Sequence, residues 1–122
     1  MICIGEIETE MINDGRAQSD VGGVFGLVPR VLWSQFAQAD EQNCMPMDHR
    51  CLLVRAGRKI IVVETGLGTW LTTKRIDQLR LTRPQGSLVN GLRRLGVSPE
   101  EVDLVVNNAS TLGPTPLRPL RD

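Results

Sequence analysis

Two four-residue apolar runs, Cys51-Leu52-Leu53-Val54 and Ile60-Ile61-Val62-Val63, are separated by only five residues, Arg55 to Lys59. So short a connection forces the segments antiparallel, because a parallel pair needs a crossover of about a dozen residues or more. Neither run alternates with polar residues, so both faces of the strands call for cover, as in central-sheet sequence. The hairpin, spanning about 50–64, is the nucleus around which the rest of the chain must be arranged.

Upstream, Ile4, Ile7, Met11 and Ile12 are interleaved with Glu6, Glu8 and Glu10 and followed by Asn13-Asp14-Gly15. This reads as a strand closed by a turn, with one slip of the apolar phase that predicts a bulge or a short strand. Residues 16–28 are Gly-rich and without a period, which predicts a loop, and 41–48, with Asn43 and Pro46, reads as another. Pro29 followed by Leu32, Trp33 and Phe36 predicts a short helix over about 29–37. A second helix is expected over about 70–80, carrying Trp70, Leu71, Ile76 and Leu79, and a third over about 86–95, with Leu88, Leu92 and Leu95 on one face and Gly96 as its stop. Ser98-Pro99-Glu100-Glu101 supplies a cap, a first-turn proline and a capping-box glutamate, so one helical turn starts there. Val102, Leu104, Val105 and Val106 form a third buried-strand candidate. Helices alternating with these strands give an α/β (α+β) fold with a mixed sheet. Three prolines in six residues, Pro114 to Pro119, close residues 108–122, which are expected to be a disordered tail.

Charge narrows the partners. The chain has 14 Lys+Arg against 14 Asp+Glu and no block of like charge. That removes the concentrated basic face that nucleic acid or an anionic membrane surface would need. No apolar run approaches the roughly 20 residues that cross a bilayer. Met1 to Glu6 has neither a positive leader nor an apolar core, so a cytoplasmic protein is expected. Three cysteines, Cys3, Cys44 and Cys51, are an odd number and read as free thiols in a reducing compartment.

The reactive side chains offer few constellations. Cys44, His49 and Cys51 lie within eight residues, with Cys3 farther off, and together could make a zinc set. Buried or free thiols beside a strand histidine are the preferred reading. Gly66 and Gly68 follow a strand and precede a helix but lack the rest of a phosphate-binding fingerprint, so a tight turn suffices. Glu64 ends its strand as a base or, preferably, as a structural hydrogen-bonding group. Ser34, Ser87 and Ser110 are outside any Gly-x-Ser-x-Gly setting. Val24 to Val28, apolar and flanked by glycine, suits a packed loop better than a ligand-facing flap.

Three stretches share an order. Cys51-Leu-Leu-Val-Arg-Ala-Gly-Arg-Lys-Ile-Ile-Val-Val-Glu-Thr-Gly-Leu-Gly68 resembles the strand, turn, strand and loop near the start of metallo-β-lactamase-fold hydrolases, where the second strand commonly ends in Asp-Thr-Gly. Leu95-Gly-Val-Ser-Pro-Glu-Glu-Val-Asp-Leu-Val-Val106 resembles the segment leading into that family's metal motif. Val24-Phe-Gly-Leu-Val-Pro-Arg-Val-Leu-Trp33, with Asp40-Glu-Gln-Asn43, resembles the N-terminal extension of a lactonase-like and organophosphate-hydrolase-like subgroup.

The resemblance implies the first part of a single αβ/βα sandwich domain over residues 1–107, and metal-assisted hydrolysis of a lactone, ester or phosphoester by a hydroxide held on one or two zinc ions. Such an ion needs histidine and carboxylate ligands, an open position, and a bound water whose pKa falls toward ~7. In relatives the strand corresponding to Leu104–Val106 runs into Thr-His-x-His-x-Asp-His. Here those four ligand positions fall on Ala109, Thr111, Gly113 and Pro114. Glu64 stands where the family has the Asp of Asp-Thr-Gly. Codons for Asn108 to Gly113 read one nucleotide later can encode Thr-His-Leu-His-x-Asp, the trace that a frameshift would leave.

The expectations are therefore a chain with no catalytic, cofactor-binding or metal-ligating residue of its own, and hence inactive alone. A small-molecule substrate enters only with the missing half. A non-catalytic module that pairs through an exposed sheet surface is the alternative. Uncovered apolar sheet faces also predict self-association.

Overall fold

The computed structural model describes residues 1–107. Five strands form one sheet in the order β1-β2-β3-β4-β5: β1 Ile2–Ile4, β2 Ile7–Asp20, β3 Cys44–Ala56, β4 Lys59–Val63 and β5 Leu104–Val106. The first four pair antiparallel in sequence order and β5 adds parallel to β4, so the sheet is mixed and the fold α+β. The hairpin anticipated at 50–64 is present, with Leu53 opposite Val62 and Gly57 in its turn at a φ of 59°.

Two segments read as loops are strand. Residues 16–20 continue β2 and 44–50 begin β3, paired from Arg16 opposite Asp48 to Asp20 opposite Cys44. An Arg16–Asp48 ion pair at 2.7 Å joins facing residues of the two strands, the kind of cross-strand contact that holds a polar ladder together. Pro46 is tolerated because β4 pairs only with Leu52 to Ala56, leaving this half of β3 with a strand on one side only. The Asn13-Asp14-Gly15 signal does not close the strand with a turn; the anticipated bulge falls there, within β2.

The helices are shorter than anticipated. Val21–Phe25 (α1) lies inside the presumed loop, capped by Asp20, whose Oδ1 accepts from Gly22 N at 2.8 Å. Arg30–Trp33 (α2) covers only the first turn of the 29–37 helix. Thr73–Leu79 (α3) starts beyond Trp70 and Leu71, with Thr72 rather than an earlier residue as its cap. Leu88–Arg94 (α4) matches its expected span to within two residues at either end, and Pro99–Glu101 forms the foreseen single turn with the Ser98–Glu101 capping box in place.

The core lies on one face of the sheet. Ile12, Cys51, Leu53 and Val62 pack against Leu88 and Leu92 of α4 and against Val97, with Ile60, Leu95 and Val102 at its margin. Backbone approach is close enough that a Cβ on Gly91 would collide with the Ile12 side chain. The opposite face carries no helix pair of this kind: Ile7, Met11, Leu104 and Val106 are exposed. Uncovered apolar sheet surface is thus present as anticipated, on one face; β5, read as a buried strand, is instead an edge strand of the described sheet. The disordered tail anticipated over 108–122 lies outside the described residues.

Candidate functional site

Because β4 and β5 run parallel, their C-terminal ends emerge at the same edge of the sheet, with Val63 beside Val106. The Glu64 amide donates to the Val106 carbonyl at 2.8 Å, extending the pairing by one bond. Loops after parallel strands are where open sheets place ligands. Here the loop turns at once: Glu64, Gly66 and Gly68 have φ of 70°, 65° and 70°. For the two glycines this left-handed backbone carries no steric cost, whereas Glu64 is held there against the usual preference of a residue with a Cβ.

The loop is tied down by Asp14, the bulged residue of β2, which is 1% exposed. Its Oδ2 accepts from Leu67 N at 2.8 Å, and its Oδ1 accepts from Leu88 N, the first amide of α4, at 2.7 Å and from Arg83 Nη1 at 2.8 Å. Arg83 also donates to the Asp14 and Gly68 carbonyls. One carboxylate thereby fixes the loop after β4, the start of α4 and the Arg83 guanidinium. Gly66 is required by this arrangement, since a Cβ there would overlap the Asp14 side chain. Sequence reading missed both Asp14 and Arg83; a bulge in an otherwise two-period strand was the only local signal of the first.

Cys51 and His49 lie nearby on β3. Burial, reinforced by the Asp14 and Glu64 charges, pushes the Cys51 thiol up to about 12, so it is an inert, protonated core group at neutral pH. Burial holds His49 below its usual range; the Asp14 and Asp48 charges oppose this shift and the Arg83 charge adds to it. It is a neutral imidazole at pH 7.

The other candidates are not brought together. Cys3 faces Glu8 at one end of the sheet, which β2 aligns with Arg55, while Cys44 opens β3 at the other end. At about 3.3 Å per strand residue, the eleven positions between residues 44 and 55 separate them by roughly 36 Å, so the four-residue zinc set does not assemble. All three thiols are free. Ser87 is the cap of α4, in a reciprocal bond with Asn90; Ser34 ends α2; Ser110 lies outside the described residues. The Val24 to Val28 segment is not the packed loop expected. Leu27 is 102% exposed, and Val28, Val31, Leu32 and Phe36 are also open. Only Phe25, stacked on Trp33 with centroids 5.5 Å apart, anchors the segment, helped by Arg30 over the Trp33 ring.

No family model and no curated protein matches the sequence, but solved structures do. A "probable metal-dependent hydrolase" from Staphylococcus aureus superposes with a TM-score of 0.78 at 25% identity, covering 87% of this chain and 38% of that one. The hydrolase AbOPH of the beta lactamase superfamily gives 0.59 at 18% identity, with 87% and 34% covered. The dizinc quorum-quenching lactonase AidC gives 0.58 at 19%, again with 87% and 34% covered. This is a partial metallo-β-lactamase fold. It spans little more than a third of the length of those chains.

Within the metallo-β-lactamase fold the loop after β4 is the one resembling Asp-Thr-Gly, and Asn107 is the last described residue before the positions matching the metal motif. Ala109, Thr111, Gly113 and Pro114 lie outside the described residues. The described residues do not fit a zinc ion: among them, no three His, Cys, Asp or Glu side chains converge. Asp14 spends its oxygens on three N–H donors, and Cys51 holds its proton. No helix among the described residues is long and apolar enough to cross a membrane.

Proposed function

We propose that this chain supplies the first sheet layer and the loop after β4 of a zinc-dependent metallo-β-lactamase-fold hydrolase acting on a lactone, an ester or a phosphoester, and that it is inactive alone. The observation carrying this reading is the parallel β4/β5 edge with its Asp14-anchored loop, set in a fold whose solved neighbours are described as a metal-dependent hydrolase and a dizinc lactonase. Its three free thiols suit a reducing cytoplasm. In this reading the metal ligands come from outside residues 1–107.

The test is to purify the chain, load it with zinc, and measure bound metal together with turnover of an acyl-homoserine lactone, an aryl ester and a phosphotriester. Zinc well below one ion per chain and no turnover above background are expected. Stoichiometric zinc with hydrolysis would overturn the inactivity. Sequencing the gene settles the frameshift reading separately: a shifted frame without His-x-His-x-Asp at codons 108–113 ends it.

A further inference from the structure

Between Val63, the end of β4, and Leu88, the start of α4, the chain buries only Leu67 and Ser87. The helix inside this stretch, α3, has no buried residue. So little apolar contact gives a segment low local stability, and polar attachments hold it instead. The Arg16 and Thr82 backbones exchange two hydrogen bonds, at 2.8 and 2.9 Å, which strap residues 81–83 across β2 beside its bulge. Gly15 leaves room for the strap, since a Cβ there would stand 3.0 Å from Leu81 Cδ1 and 3.1 Å from the Thr82 carbonyl oxygen. From the strap, Arg83 donates to the Asp14 carboxylate and on to the Gly68 carbonyl. The Arg80–Asp40 ion pair, 2.8 Å long, ties down the end of α3, but both partners are open to water and add little.

We propose that Asp14 and Arg83 form a latch through which the loop after β4, the 81–83 strap and the N-terminus of α4 open as one unit, while β2, β3 and β4 stay paired. Burial makes the steps inseparable. The Asp14 carboxylate is 1% exposed, and among the described residues Arg83 is the cation paired with it. The guanidinium, with 22% of its side chain exposed, is the partner nearer water and the one that leaves first. A carboxylate without its counter-charge is too costly to keep in the core, so Asp14 follows it into solvent. The Leu67 and Leu88 amides then lose their acceptor together, and the Gly68 carbonyl has already lost its donor. Glu64, held at a φ of 70° in the closed loop, regains an ordinary backbone on opening. Every group in the latch touches another described residue, so the device rests neither on what covers the rest of the chain nor on the hydrolase reading. Where that reading holds, the latch decides whether the edge at which β4 and β5 end is assembled.

Native-state hydrogen exchange of the full chain in low urea tests it. In the wild type the Leu67 and Leu88 amides should share one opening equilibrium and one urea slope. Both should open at least ~10-fold more often than the Val62 and Val63 amides of β4, a strand paired on both sides. Arg83→Gln should raise the two openings by the same factor, about 10–100-fold, and Arg83→Lys, which keeps the charge, by less. Ile61→Ala, on the sheet face away from α4, weakens a part that stays folded in both forms; it should speed Val62 and Val63 and leave Leu67 and Leu88 unchanged. If a variant does not fold, the wild-type comparison decides alone. Unequal equilibria or slopes for Leu67 and Leu88, exchange of either as slow as β4, or a response of only one to Arg83→Gln each overturns the latch. So does faster exchange of both in Ile61→Ala, which would mean that they open only when the whole chain unfolds. Zinc content and turnover do not enter these rates, so the latch and the hydrolase reading fail separately.

Discussion

Asp14 connects parts of the chain that no local pattern links. Its partners Leu67, Arg83 and Leu88 lie 53, 69 and 74 residues away. In sequence it is the middle of an Asn-Asp-Gly turn signal; the slip in apolar phase hints at a bulge, but nothing within a few residues says that its side chain points into the core. Asp14→Ala leaves the Leu67 and Leu88 amides without their acceptor and removes the carboxylate paired with Arg83, so the protein should lose about 3–5 kcal/mol, measurable by urea unfolding. His49 gives a pH prediction. Its imidazole sits below the usual value of 6.5 in the fold, mainly through burial. As pH falls through about 6.5, the unfolded chain takes up a proton that the folded chain refuses, and stability declines. The urea midpoint should therefore drop between pH 7.5 and pH 5.5, and drop less in His49→Gln; an equal fall in both would contradict the assignment.

Among the elements, those with strong local chemistry were legible: the β3/β4 hairpin from its five-residue connection, α4 from its leucine spacing and cap, and the single turn at Ser98 from its capping box. Those set by pairing were not. Arg16 to Asp20 and Cys44 to Arg50 have neither alternation nor β-branched residues, and become strand because each finds the other across the sheet. β5 looked buried because its valines and leucine are apolar, but apolar composition does not say whether a covering layer exists. α4 provides that layer on one side only. Leu92, fully buried, should cost about 2–5 kcal/mol on replacement by alanine. Gly91→Ala should also destabilise, by roughly 1–3 kcal/mol through overpacking onto Ile12, although alanine is the better helix former by up to ~1 kcal/mol. A stabilised Gly91→Ala in thermal or urea unfolding would show that α4 can move away from the sheet.

For the molecule as a whole, an apolar face on one side and a packed core on the other make stability dependent on company. A molecule that covers this face only in the folded chain should raise the melting temperature as its concentration rises, measurable by thermal unfolding. The neutral charge balance means that little long-range repulsion opposes such association.

The sheet's strand order has a temporal consequence. β1 to β4 pair each with the next in sequence, so this meander can be assembled progressively as the chain is synthesised, every new strand finding its template already made. β5 is different: it must wait for α3, α4 and the Ser98 turn before it can lie beside β4. The edge where β4 and β5 end together, and with it the Glu64 loop, is then among the last parts of the described chain to take shape.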